Sequence, residues 1–163
     1  MKIKVVYLVV IILIITALNI PILERLTITN EKSGFIVFQD SVEKYKEFYV
    51  SFIHSVNKTP VNEYYSISKD KLILEKATFY SYGAGMPEAG EYGGDEPILV
   101  DKQIQLNNIH KEFEKFTYYA GTYANHSLNI ENHKILFSQF VKPQTPVTFE
   151  VKKISIITLL MTY

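Results

Sequence analysis

The residues best able to do chemistry cluster in His54-Ser55-Val56-Asn57-Lys58-Thr59-Pro60-Val61-Asn62-Glu63, with His126 further along. A nucleophile, a base and an orienting acid could be assembled from Ser55, His126 and Glu63. Two features argue against that hydrolytic arrangement. Neighbouring strand residues point to opposite faces, so His54 is badly placed to activate Ser55. No Gly-x-Ser-x-Gly elbow exists. A metal such as Zn²⁺ could be held by His54, Glu63, His126 and His133, although none of their spacings is diagnostic. The plainer reading is preferred: the His54 imidazole bonds a loop carbonyl or Glu63 and pins a strand end. Contact with a small ligand ranks second and metal third.

A second polar segment, Ser81-Tyr82-Gly83-Ala84-Gly85-Met86-Pro87, follows about 20 residues later. Its glycines could present backbone N–H donors to an anion, or merely supply positive φ in a bulge. No Gly-Lys-Ser/Thr follows, so it is not a phosphate-binding P-loop. Thr59-Pro60-Val61 reads as a strand entry, where proline is tolerated. The candidate ligand-binding set is therefore His54, Ser55, Thr59, Glu63, Gly83, Gly85 and His126. No catalytic residue is assigned, and cofactor and metal stay undetermined.

The elements that must position these groups are mostly β. Phe48, Val50, Phe52 and His54 share one face of an extended run, and Val61, Glu63, Tyr65 and Ile67 share a face of the next. Hairpins are expected where Leu26-Thr27-Ile28-Thr29 and Phe35-Ile36-Val37-Phe38 flank Asn30-Glu31-Lys32-Ser33-Gly34. Another is expected where Ser127-Leu128-Asn129-Ile130 and a run from Ile135 to Val141 flank residues 131–134. Residues 83–97 hold five of the seven glycines and four acids, Glu88, Glu91, Asp95 and Glu96. So long a loop is often functional, but the acids lack the spacing of a Ca²⁺ loop. Ile109, Phe113 and Phe116 allow a short helix; a strand through Phe116-Thr117-Tyr118-Tyr119 is preferred. Residues 154–163 are apolar but too short to span a bilayer and read as a terminal core strand. The spacing predicts an all-β antiparallel sandwich or barrel of about eight to ten strands.

Ahead of this lies an apolar segment. Lys2 and Lys4 precede Val5-Val6-Tyr7-Leu8-Val9-Val10-Ile11-Ile12-Leu13-Ile14-Ile15, and apolar character continues to about Leu23. The run has no polar face, which argues against a buried core helix. Residues 1–24 are expected to be a membrane anchor or signal segment, and residues 25–163 an exported β domain. Ala17-Leu18-Asn19 makes a poor cleavage site, so an uncleaved anchor is favoured over a secreted form. The lysines imply a cytoplasmic N-terminus and an extracytoplasmic domain.

Composition narrows the partners. The 163 residues carry 17 basic and 17 acidic side chains, and Arg25 is the sole arginine. No basic block exists, so nucleic acid is a poor partner. The absence of cysteine removes disulfides, thiolate metal sites and a catalytic thiol together.

Phe52-Ile53-His54-Ser55-Val56, Thr59-Pro60-Val61, Glu63-Tyr64-Tyr65 and Ser81-Tyr82-Gly83-Ala84-Gly85-Met86-Pro87 resemble the bacterial family catalogued as domain of unknown function 1850. Gly121-Thr122-Tyr123-Ala124-Asn125-His126-Ser127-Leu128 is a looser match. The resemblance brings no catalytic residues with it. Family members are commonly encoded beside the permease and the solute-binding component of TRAP transporters, ion-driven importers of organic acids. The resemblance thus implies a non-enzymatic, membrane-anchored accessory of solute uptake that contacts the permease or the binding protein. The alternatives are an exported hydrolase with or without a metal, and a structural interaction domain of the envelope.

Overall fold

A computed structural model describes residues 2–82, 91 and 93–162. The chain opens with helix α1 (Lys2–Leu18) and continues through β1 (Leu23–Asn30), β2 (Phe35–Ser41), β3 (Glu47–Ile53), β4 (Pro60–Ser68) and β5 (Lys71–Phe79). Then come β6 (Ile98–Val100), β7 (Gln103–Leu106), β8 (Lys111–Phe113), β9 (Lys115–Tyr119), β10 (Ser127–Ile130), β11 (His133–Leu136), β12 (Pro146–Ile154) and helix α2 (Ile156–Thr162). The all-β expectation holds. The strands form two antiparallel sheets rather than a closed barrel: a small one ordered β2-β1-β12-β9 and a large one ordered β11-β10-β3-β4-β5-β7-β6, with β8 also on β5.

The core lies between the sheets and follows from period-two alternation. Phe48, Val50, Val61, Tyr65, Leu72 and Leu74 of the large sheet are buried against Leu26, Ile28, Val147 and Phe149 of the small one. Aromatic rings fill the middle. Tyr65 stacks on Phe116 at 4.4 Å, Phe116 on Phe149 at 5.0 Å, and Phe48 on Tyr65 at 5.3 Å. Rings of this size bury much apolar area from few residues, which suits a domain without disulfides.

Several local expectations are met, for physical reasons. The β1–β2 hairpin forms because Asn30 Oδ1 accepts the Lys32 N–H at 3.0 Å, and Gly34 supplies a φ of +69°. The strand reading of residues 115–119 holds as β9. Positive φ at Asn108 and His110 breaks any helix running into it.

Two expectations need correction. The expected terminal strand from 154 to 163 is not formed: Ile154 ends β12, and Ile156–Thr162 are helical. The Ser155 hydroxyl accepts the Thr158 N–H at 3.0 Å, an N-cap bond that starts α2 directly after β12. The second hairpin turns tightly at Glu131 and Asn132, with Glu131 at a φ of +50°. Its return strand stops at Leu136, where Phe137–Gln139 coil into a 3₁₀ turn.

The first and last strands are neighbours. β1 pairs with β12 from Leu23↔Ile154 to Asn30↔Val147. α1 and α2 therefore leave the small sheet at the same end. The apolar residues from Val5 to Ile15 on α1 are exposed, as are Leu160 and Met161 on α2. α1 has 17 residues, and among the described residues no helix is long and apolar enough to cross a membrane.

Candidate functional site

His54 follows the last residue of β3 and is buried, on the inner face as its alternation requires. Its Nδ1 accepts the backbone N–H groups of Val56 at 3.3 Å and Asn57 at 3.1 Å. Its own N–H donates to the Thr59 carbonyl at 2.9 Å, and its carbonyl accepts the Lys58 N–H at 3.0 Å. The imidazole thus closes the β3–β4 turn as an asparagine side chain would. Lys58, at a φ of +55°, completes the turn before β4 begins at Pro60. Asn57 ties the turn to a second segment by donating to the Ser81 carbonyl at 3.2 Å. Thr59 contributes its backbone here, and Ser55 points to solvent.

Glu63 lies on the inner face of β4. Its Oε2 accepts hydrogen bonds from the Tyr118 hydroxyl and, at 3.3 Å, from the Tyr65 hydroxyl. The two hydroxyl oxygens also lie 2.8 Å apart. Tyr65 neighbours Glu63 on β4, whereas Tyr118 reaches over from β9 in the other sheet. Burial raises the Glu63 pKa, and the two tyrosine hydrogen bonds offset part of that rise. The Tyr118 phenol is pushed well above its ordinary value, first by burial and then by the Glu63 charge.

His126 precedes β10 and is packed rather than paired with a charge. It stacks on Phe52 at 5.2 Å and on Phe137 at 5.5 Å, and meets Tyr118 at 5.7 Å. Its Nδ1 accepts a long hydrogen bond, 3.4 Å, from the Gly121 N–H. Burial pulls its pKa down from 6.5 to about 4, so the ring is neutral at pH 7. A cleft of about 70 Å³ opens beside it, lined by Gly121, Asn125 and Ser138 among others.

Glu63 and His126 therefore meet through Tyr118, which touches both. Ser55 does not join them: among the described residues no hydrogen bond links it to either, so the hydrolytic trio is not assembled. His133 is exposed on β11. Among the described residues, no three His, Cys, Asp or Glu side chains sit close enough to hold a metal. Gly83 and Gly85 lie outside the described residues. The residue that sequence reasoning passed over is Tyr118. Its signal was present in the β9 alternation, which puts Phe116 and Tyr118 on one face.

A family model described as a domain of unknown function, DUF1850, matches residues 48–137, more than half of the chain. The chain belongs to the DUF1850 family. The matched DUF1850 segment contains His54, Glu63, Tyr65, Tyr118 and His126 together. It leaves out α1, β1, β2, β12 and α2. No curated protein and no solved structure matches the chain.

Proposed function

We propose that this DUF1850 protein is a membrane-held, non-catalytic accessory of TRAP-type solute uptake, its β domain docking on the permease or on the solute-binding component. One observation carries the membrane part. The apolar surface of α1 is covered by none of the described residues, and leaving it in water would be costly. A helix of 17 residues is about 25 Å long, short of the ~30 Å hydrocarbon layer. It enters the bilayer with local thinning and with Lys4 drawn to the headgroups. The α2 residues Leu160 and Met161 project from the same end of the sheet and add a second apolar contact.

The site residues read as structural rather than catalytic. His54 is committed to a turn, Glu63 to two tyrosines, and His126 to ring stacking. The transport partner follows from the family resemblance. The test is affinity purification of the full chain, tagged at its C-terminus, from detergent-solubilised membranes of a host carrying its neighbouring genes. Recovery of the permease or solute-binding protein in stoichiometric amount is expected; recovery of neither, from membranes that contain both, overturns the transport reading.

A further inference from the structure

Two separate segments bring bare apolar side chains to one end of the small sheet. The first is the link of four residues, 19–22, between α1 and β1. In it Ile20 and Ile22 are 52% and 62% exposed, and Pro21 between them fixes its own φ. The second is α2. Leu23 pairs with Ile154, so the register of β1 and β12 sets α2 beside the exit of α1. The α2 sequence, Ile-Ile-Thr-Leu-Leu-Met-Thr, carries no charge. Ile156, Ile157 and Leu159 are half-buried, whereas Leu160 and Met161 are 73% and 83% exposed. The His54 turn and His126 lie at the opposite end. There Pro146 opens β12 against Tyr119 of β9, and the loop after β9 accepts the Ile53 N–H on the Ala124 carbonyl at 2.6 Å.

We propose that α2 and the Ile20–Ile22 link lie in the lipid interface beside α1 and hold the β domain upright on the bilayer, with its His54–His126 end pointing away. The inference rests on the reading that α1 enters the bilayer, and it adds the pose of the domain. Three observations carry it. First, α1 falls short of the hydrocarbon layer by about 5 Å, and a short span draws its flanking apolar residues inward. Ile20 and Ile22 are those residues. Second, lipid is the occupant of α2 because its exposed apolar residues continue the surface that α1 already gives to lipid, and a short uncharged helix of this kind lies in the interface. Third, the charged row next to Leu23 and Ile154 is Glu24 opposite Lys153, which hold each other at 3.5 Å, so neither enters the headgroup layer unpaired. A single tether leaves a domain free to swivel. Here the two contacts are joined by a ladder running from Leu23↔Ile154 to Asn30↔Val147, which fixes the tilt. The eight residues of β1 then stand the far end roughly 26 Å from the lipid.

The chain has no tryptophan, so one introduced residue reports alone. The test puts the full chain carrying Ile22→Trp, Leu160→Trp or Val56→Trp into phosphatidylcholine vesicles whose acyl chains are brominated. Val56 is 64% exposed in the His54 turn, so its variant controls for the attraction of tryptophan itself to the interface. The tryptophans at 22 and 160 are expected to lose much of their emission to bromine and to shift it to the blue, while the one at 56 keeps both. Met161→Trp replaces Leu160→Trp if that variant does not fold. Flotation of the same vesicles separates two failures. A chain that does not float overturns the α1 reading and this inference with it. A chain that floats, but whose tryptophan at 160 or 161 is quenched no more than the one at 56, overturns the upright pose and leaves α1 in place.

Discussion

The Tyr118 hydroxyl, on the small sheet, donates to the Glu63 carboxylate on the large one, joining the two layers through a hydrogen bond inside an otherwise aromatic core. A carboxylate in such surroundings is costly unless its oxygens are bonded. Tyr118 and Tyr65 both bond one of them, Oε2. The pair thus fixes the spacing of the sheets at the end where His54 and His126 also sit.

Removing the donor should therefore cost more than removing the charge. Tyr118→Phe is expected to destabilise the domain by about 1–3 kcal/mol, because it leaves a buried acceptor short of a partner. Glu63→Gln keeps an acceptor oxygen and should cost less. Urea unfolding of both variants, followed by tyrosine fluorescence, checks the order.

Two buried groups give stability opposite dependences on pH. Between pH 6.5 and about 4 the unfolded chain protonates His126 while the folded ring stays neutral. Stability contributed by the neutral ring is complete above 6.5 and is lost as pH falls through that window. Allowing for partial solvent access to the ring, the loss is on the order of 2 kcal/mol. Glu63 acts the other way. Its raised pKa favours the folded state at low pH, a contribution lost as pH rises through the folded value. His126→Gln should flatten the acid limb of a melting-temperature profile, and Glu63→Gln should remove the opposing slope.

His54 offers a sharper separation of turn from ligand. His54→Ala deprives the Val56 and Asn57 N–H groups of their acceptor and should cost about 1–2 kcal/mol. His54→Asn should recover most of it, since an asparagine oxygen reaches the same N–H groups. Recovery of stability in thermal melts fits a turn-closing histidine, whereas equal loss in both variants contradicts it.

Gly94 is a backbone requirement rather than a site. It has a φ of +91°, and an added Cβ would lie 2.5 Å from the Asn107 carbonyl oxygen. Gly94→Ala should destabilise the domain by about 1–3 kcal/mol. A fall in melting temperature checks it, and a variant that melts like the parent contradicts it.

The strands and their inward faces were legible because period-two alternation is a local signal. His54 and Glu63 followed from it directly, as did the hairpins. The meeting of Glu63 with His126 was not legible. It depends on Tyr118 crossing from β9, and that contact spans 55 positions of sequence between Tyr118 and Glu63. The C-terminal helix was hidden for a different reason. Ile156, Ile157, Leu159 and Leu160 look like a strand by composition, and only the Ser155 cap turns them into α2. The one-residue register shift between β4 and β5 at Tyr64 and Tyr65 is likewise announced by no pattern of residue types.

The most direct measurement is the fractionation of cells expressing the full chain beside a variant in which Val9, Ile12 and Ile15 of α1 become Asp. The parent chain is expected to pellet with membranes, to resist salt and carbonate, and to release only with detergent, while the variant moves to the soluble fraction. A parent chain found in the soluble fraction, or stripped from membranes by salt alone, would contradict a domain held by α1.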